Sequence, residues 1–372
     1  DDLARRQEFH SGFATKKQAE AELATLLASI AGGTHIEASR LSVKDFLCEH
    51  WLPAVRPTIR PTTFLSYQGH VENYLVPELG RILLKELSPA QLNALYRRLL
   101  TEPRMKWTTR CPKKLARPSA PLAPATVRRI HATLHRALRD AVRWNLTNRN
   151  AADGADPPRA VGCTGARTQT WSRSELQRFL ASERLSWLYP LWVLFLTTGL
   201  RRGEALGLRW QDVDLSAGTI AVRQTRVQLN YQTVVSTPKT QKGKRLLALD
   251  GGTCAVLARL KERAHEEGER QGRSLEPGDV LFTTETGAPL HPDRTTHLFR
   301  RAAKQAGVPV IRLHDLRHTH ATLALSAGVH PKIVSERLGH ANIGITLDTY
   351  SHCLPALCEE AASRVAALVL GE

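Results

Sequence analysis

The residues best able to do chemistry in this chain stand in three short strings. These are Thr198-Gly199-Leu200-Arg201-Arg202-Gly203-Glu204, His314-Asp315-Leu316-Arg317-His318-Thr319 and Leu338-Gly339-His340, the last followed ten residues later by Tyr350. Arginine carries a planar fork that donates paired hydrogen bonds to phosphate oxygens and stays charged at any working pH. Arg201 follows a Thr-Gly turn at the mouth of a helix, and Arg317 lies one helical turn after His314, so His314 and Arg317 face the same way. Taken singly these residues are ordinary: an isolated arginine forms a surface ion pair, a lone histidine is structural, and a tyrosine near a chain end packs an amphipathic helix. Clustered His, Arg and Tyr are not ordinary. His314, His318 and His320 also read as H-x-x-x-H-x-H, with His314 and His318 sharing a helix face as in helical zinc sites. Against a metal, His320 points elsewhere on that helix and no carboxylate accompanies the three as a base. No metal is assigned, and His318 is read as a helix-packing residue.

In order and spacing these strings resemble the tyrosine recombinase and phage integrase family, over essentially all of residues 41–355. Thr346-Leu347-Asp348-Thr349-Tyr350-Ser351-His352 looks like that family's nucleophile segment. The resemblance implies a helical core-binding domain, a catalytic α+β domain, and cleavage and rejoining of duplex DNA through a 3′-phosphotyrosine, integrating or excising a phage or mobile element. It implies Tyr350 as nucleophile, Arg201 and Arg317 as a phosphate clamp, and His314 as proton acceptor. His340 would bond a nonbridging oxygen or position Tyr350. Lys239, in Thr237-Pro238-Lys239-Thr240, matches the lysine that protonates the leaving 5′-oxygen, with Lys242 and Lys244 close enough to share the candidacy. Glu204 and Asp315 are read as carboxylates that orient Arg201 and the His314–Arg317 turn.

These roles agree with the chemistry of a phosphodiester. Its nonbridging oxygens already share negative charge and the transition state concentrates more, so fixed cations are required, each plausibly worth about 3 to 4 kcal/mol by analogy with oxyanion donors. A phenol with a pKa of about 10 needs an acceptor to attack at neutral pH. Storing the cleaved ester as another ester needs no ATP and no cofactor. Direction would then come from binding, through an accessory excisionase or DNA-bending protein. Two rivals remain at this stage: a type IB topoisomerase, which shares the Arg, Lys, His and Tyr roles, and a catalytically inactive DNA-binding regulator on the same fold.

The elements that must position these residues fit an α+β, mainly helical chain. At about 150 residues per domain, 372 residues make two or three domains. Residues 1–40 resemble the end of an arm-type DNA-binding region, Gly12-Phe13-Ala14-Thr15-Lys16-Lys17 leading into a helix over 15–30. Four amphipathic helices at 42–51, 62–75, 88–100 and 125–144 make the core-binding domain, 41–150. Residues 151–169 read as a linker with Pro157-Pro158. A mixed catalytic domain, 170–355, follows with helices at 174–183, 187–197, 252–267, 292–307, 314–328 and 331–338 and a small antiparallel sheet. Its hairpin is expected between 233–237 and 245–249, around Lys239–Lys244. The tail, 356–372, is an apolar-rich helix with little of its own chain to cover it, expected to dock on a neighbouring protomer in a DNA-bound homotetramer.

Charge points to the same partner. Lys and Arg number 52 against 35 acids, a net +17, which calls for a polyanion such as double-stranded DNA. Over 104–149 twelve basic residues meet one acid, Asp140. Arg104, Lys106, Arg110, Lys113, Lys114 and Arg117 sit in a proline-rich loop, and Arg128, Arg129 and Arg136 follow on a helix, all candidates for phosphate contact. No apolar run approaches the roughly 18 residues of a membrane span. Six scattered cysteines without a C-x-x-C pair fit a reduced cytoplasmic protein and neither a disulfide framework nor a cysteine zinc site.

Overall fold

The computed structural model describes residues 12, 14–31, 41–105, 118–159, 169–229, 232–236, 243–284, 286–350 and 355–371. Ahead of the first core, Lys16–Ala31 is helical. The chain divides into two compact units, Asp1–Cys163 and Thr164–Glu372, and among the described residues no helix is long and apolar enough to cross a membrane.

The first unit is a helical bundle. Ser42 caps its first run by accepting from the Asp45 backbone N–H at 3.1 Å. That run continues through a π-helical stretch, Phe46–Trp51, to Leu52–Val55, so Val43, Phe46, Leu47, Trp51 and Leu52 all reach the core. A second run joins Pro61–His70, Val71–Leu75 and Val76–Leu79. Helix Pro89–Thr101 starts at a reciprocal Ser88/Gln91 capping box with proline in its first turn. Helix Pro124–Arg143 buries Val127, Ile130, Leu134, Ala137, Leu138 and Ala141 along one stripe. Asp140, the lone acid of the basic stretch, turns into this core and accepts from the Trp51 indole N–H at 2.9 Å. A buried carboxylate needs such a donor, because an unpaired one costs several kcal/mol.

The second unit surrounds an aromatic cluster of Trp171, Phe179, Trp192 and Phe299, with ring centroids 4.9 to 6.1 Å apart. Helix Arg173–Glu183, capped by Ser172 and Glu175, supplies Phe179. Helix Tyr189–Thr198 is apolar nearly all round and lies inside. Longer helices follow at Gly251–Arg270, Pro292–Gln305, Asp315–Ser326, Pro331–Leu338 and Ile343–Tyr350, and then the tail helix Pro355–Leu370.

The strands pair differently from the sequence expectation. Arg245–Ala248 pairs antiparallel with Thr219–Val222, Ile220 opposite Leu247, and Val213–Asp214 lies on the far edge. Gln232–Ser236 instead pairs with Thr225–Leu229, Val227 opposite Val234. Burial explains the exchange. Ile220, Val222 and Leu247 alternate inward and are buried together, whereas Val234 and Val235 stay exposed, so Arg245–Ala248 belongs with the inner sheet. The hairpin expected around Lys239–Lys244 is therefore a connection between two sheets.

Helix Tyr189–Thr198 stops at Gly199, whose φ of +64° closes a left-handed cap. A Cβ there would stand 2.6 Å from Leu338 Cδ2 and 2.7 Å from His320 Cδ2. Gly199→Ala should therefore lower stability by about 2 to 4 kcal/mol, combining a left-handed penalty with overpacking. Gly307→Ala, with φ +63° and nothing within 4 Å, should cost only about 1 to 2 kcal/mol. Urea unfolding of both variants checks this; equal midpoints would show that the contact with Leu338 and His320 carries no weight.

Candidate active site

Past Gly199 the chain turns at once into the short helix Arg202–Ala205, and Arg201 sits at its N-cap. Glu204 reaches back over that turn, accepting from the Arg201 backbone N–H at 3.0 Å and from its Nη1 at 2.7 Å. From the inner strand, Arg245 donates to the same carboxylate, Nη2 to Oε2 at 3.0 Å and Nη1 to Oε1 at 3.3 Å. Burial alone would raise the Glu204 carboxyl, but Arg245 and Arg201 outweigh it and hold the group below its usual range. Glu204 is thus a fixed anion shared by two arginines.

Arg317 projects from the first turn of helix Asp315–Ser326 and is 3% exposed. Its Nη1 donates to the Gly199 carbonyl at 2.9 Å and its Nη2 to the Leu338 carbonyl at 2.7 Å. Burial, then the charge of Arg201, draws its pKa down to about 9, so it remains a cation at neutral pH. The Leu338 carbonyl belongs to the end of helix Pro331–Leu338, where three arginines meet. Arg245 Nε donates to the Arg337 carbonyl at 2.7 Å, Arg317 Nη2 to Leu338, and Arg201 Nη2 to the Gly339 carbonyl at 3.2 Å. Helix C-termini attract cations through these unsatisfied carbonyls. Among the described residues, one carboxylate, Glu204, bonds to this cluster, through Arg201 and Arg245. The cluster keeps an excess positive charge, and Arg201, with its side chain 40% exposed, presents that charge outward. Such a site can hold an oxyanion.

The histidines are arranged around it. Gly339, at φ +66°, ends the helix and hands the chain to His340. His340 Nδ1 lies 2.8 Å from Thr346 Oγ1, and burial, followed by the charges of Arg317 and Arg201, lowers its pKa to about 4. It is a neutral imidazole at working pH, and when the threonine hydroxyl donates to Nδ1 the Nε2 carries the proton and can donate to an anion. His314 keeps an exposed edge and stands with its ring centroid 5.2 Å from that of His318, edge to face. Tyr350 closes helix Ile343–Tyr350, is 1% exposed, and lies with its hydroxyl 2.7 Å from His318 Nδ1.

Several residues take places that the sequence left open or placed otherwise. His318, read as packing, holds the Tyr350 hydroxyl; its signal was the shared face with His314. Arg245 was not singled out at all, although it falls on the inward register of its strand with Leu247, where a charge is a warning of a buried partner. Asp315 accepts from Arg312 through Nε and Nη2 and from its backbone N–H, and so fixes the start of the helix that carries Arg317. His320 turns away to the Leu196 carbonyl at 2.8 Å. Among the described residues no three His, Cys, Asp or Glu side chains converge as metal ligands.

Of the basic residues expected at a nucleic acid, Arg128 and Arg129 are exposed on helix Pro124–Arg143. Arg136 is half-buried over the Tyr67 ring, 5.6 Å from its centroid, and donates to the Tyr67 hydroxyl at 3.2 Å. Arg104 begins a two-residue strand whose backbone pairs with Ser119. Lys106, Arg110, Lys113, Lys114, Arg117, Lys239 and Lys242 lie outside the described residues, whereas Lys244 is exposed just ahead of the inner strand.

Comparison with known proteins agrees with this arrangement. Residues 174–356 match the phage integrase family and residues 45–100 the phage integrase N-terminal SAM-like domain. A tyrosine recombinase XerC-like protein of Caldanaerobacter subterraneus subsp. tengcongensis is 27% identical over 94% of this chain and 88% of its own length. The ICEBs1 integrase of Bacillus subtilis is 29% identical over 66% of each chain. In fold, the Tn1549 transposon integrase in complex with a circular intermediate DNA superposes with a TM-score of 0.69 at 19% identity, over 87% of this chain and 99% of that one. A lambda integrase dimer bound to a COC′ core site superposes at 0.61 and 16% identity, over 83% and 95%. With two family models matched in order along it, the chain belongs to the phage integrase family of tyrosine recombinases.

Proposed function

We propose that this protein is a site-specific recombinase that cleaves and rejoins duplex DNA through a 3′-phosphotyrosine, integrating or excising a phage or mobile element. The observation that carries the reading is the meeting of Arg201, Arg317 and His340 at the end of helix Pro331–Leu338, with Tyr350 reaching the same helix pair. The nonbridging oxygens of the scissile phosphate would take N–H donors from Arg201, Arg317 and His340. Tyr350 Oη forms the new P–O bond as the bond to the 5′-oxygen breaks, its proton passing to an imidazole for which His314 is the candidate. Lys239 would deliver a proton to the departing 5′-oxygen. Attack by a 5′-hydroxyl on the phosphotyrosine reverses every step, so one ester is exchanged for another without a metal, cofactor or ATP.

Double-stranded DNA is the proposed partner, with Arg128 and Arg129 and the basic loop at its phosphates. Support comes from the fold neighbours, which are integrases bound to DNA. The tail helix supports a homotetramer on DNA, because it leaves Val365, Leu368, Val369 and Leu370 between 59% and 85% exposed. An accessory excisionase or DNA-bending protein would set direction, and the reaction belongs in the cytoplasm.

Tyr350→Phe should bind DNA as wild type and form no covalent adduct on nicked suicide duplexes drawn from candidate attachment sites. Mass spectrometry of trapped wild-type protein should find the nucleotide on Tyr350, in EDTA as in its absence; a nucleotide on another residue, or cleavage that returns only with added magnesium or zinc, contradicts the reading.

Lys239→Ala should slow cleavage about 10²- to 10⁴-fold, as expected for a lost proton transfer. Near wild-type cleavage should return on a substrate with sulfur at the bridging 5′ position, because a thiolate leaves unprotonated. Equal impairment on both substrates would make Lys239 a phosphate clamp and move the test to Lys242 and Lys244.

Deleting residues 357–372 should leave binding of a single protomer to half a site within about twofold while weakening tetramer assembly at least tenfold. Analytical ultracentrifugation on DNA reads both, and unchanged assembly would show that the tail packs on its own protomer instead of a neighbour.

A further inference from the structure

The nucleophile assigned to Tyr350 is not placed where a phosphate could meet it. Its ring is enclosed by Ala321, Leu325, Val334 and Leu338 from two helices and is 1% exposed. In-line attack needs the phenolic oxygen about 3 to 3.5 Å from phosphorus, on the side opposite the leaving group. A DNA backbone cannot approach a buried ring in that way, so Tyr350 must leave this pocket before it reacts. Among the contacts to be broken is the 2.7 Å hydrogen bond from its hydroxyl to His318 Nδ1.

The surroundings of that contact suit storage, because the ring it holds is closed off from solvent. Burial lowers the His318 pKa, so the ring is neutral at working pH. Once the phenol donates to Nδ1, the proton of the imidazole resides on Nε2. A neutral imidazole can accept a phenolic proton as well as hold it in a hydrogen bond, so it is the enclosure of the ring, and not the acceptor alone, that keeps this oxygen from a phosphate. The helix that carries His318 also carries Arg317, one residue before it, so the hold on the nucleophile and part of the phosphate clamp lie in one helical turn.

We propose that His318 is a positioning residue that keeps Tyr350 withdrawn in the DNA-free protein, its Nδ1 holding the hydroxyl until the tyrosine is released to attack. This rests on the reading of Tyr350 as nucleophile. Such a hold predicts a gain when it is removed. His318→Leu deletes the acceptor, while His318→Asn returns an oxygen near the position of Nδ1.

The first readout needs no DNA: nitration of Tyr350 by tetranitromethane, followed by peptide mass spectrometry, should be at least about 3-fold faster in His318→Leu and near wild type in His318→Asn. In single-turnover trapping on the suicide duplex that captures wild-type protein, adduct formation should rise about 2- to 10-fold in His318→Leu, the equilibrium factor of one ordinary hydrogen bond. Should the leucine variant fold poorly, Tyr350→Phe removes the same bond from the other side, and the ¹⁵N shifts of His318 should then lose their Nε2–H tautomer bias. Unchanged nitration with leucine, no rescue by asparagine, or adduct formation falling 100-fold or more would overturn the proposal, the last by making His318 the base. Failure of the underlying reading is separate: Tyr350→Phe would then trap DNA as well as wild type.

Discussion

Everything at the candidate site depends on how three guanidinium groups can be held side by side. Like charges at such spacing repel, and burial of Arg317 and Arg245 adds a desolvation cost. Two features offset this. The carbonyls of Arg337, Leu338 and Gly339 each accept from a different arginine, at the negative end of a helix. Glu204 supplies a full negative charge between Arg201 and Arg245. Neither compensation is complete, and the shortfall is the useful part. An oxyanion at the exposed face of Arg201 would complete a charge balance that the protein leaves open.

The arrangement also ties distant segments together. Arg317 bonds at once to Gly199, at the end of one helix, and to Leu338, at the end of another. The side chain of Leu338 approaches Gly199 and forms part of the Tyr350 pocket. Substituting any of these residues would disturb packing and charge together, so loss of activity alone would not assign a role to one of them.

Much of this was legible before any coordinates. The caps at Ser42 and Ser88, the prolines at helix starts and the apolar periodicity located most helices to within a few residues, because those signals are local. The arginine, histidine and tyrosine strings were visible as types and spacing. What the sequence could not show was the three-dimensional choice of partner. Arg245–Ala248 is compatible with more than one neighbour, and only the shared burial of Ile220, Val222 and Leu247 selects the inner strand. With that pairing comes Arg245, and so the second partner of Glu204. His318 was underrated for the same reason, since helical spacing put it beside His314 but said nothing of Tyr350, 32 residues on. Asp315 holds the start of the helix that carries Arg317, and the partner through which it does so, Arg312, was not legible from its neighbours in sequence.

The inward turn of Asp140 has a consequence for the surface of the first unit. Helix Pro124–Arg143 carries no other acid, and this one is shared by Trp51 inside and Arg143 at 3.1 Å. Arg128, Arg129 and Arg139 therefore have no other carboxylate on their own helix to neutralise them. A polyanion settling on this face would bring its own condensed counterions and release them into bulk solution, gaining mixing entropy that shrinks as salt is added. Satisfying one buried indole thus makes the grip of the opposite face an ionic-strength-dependent quantity, set by the composition of the surrounding solution as much as by the arginines themselves.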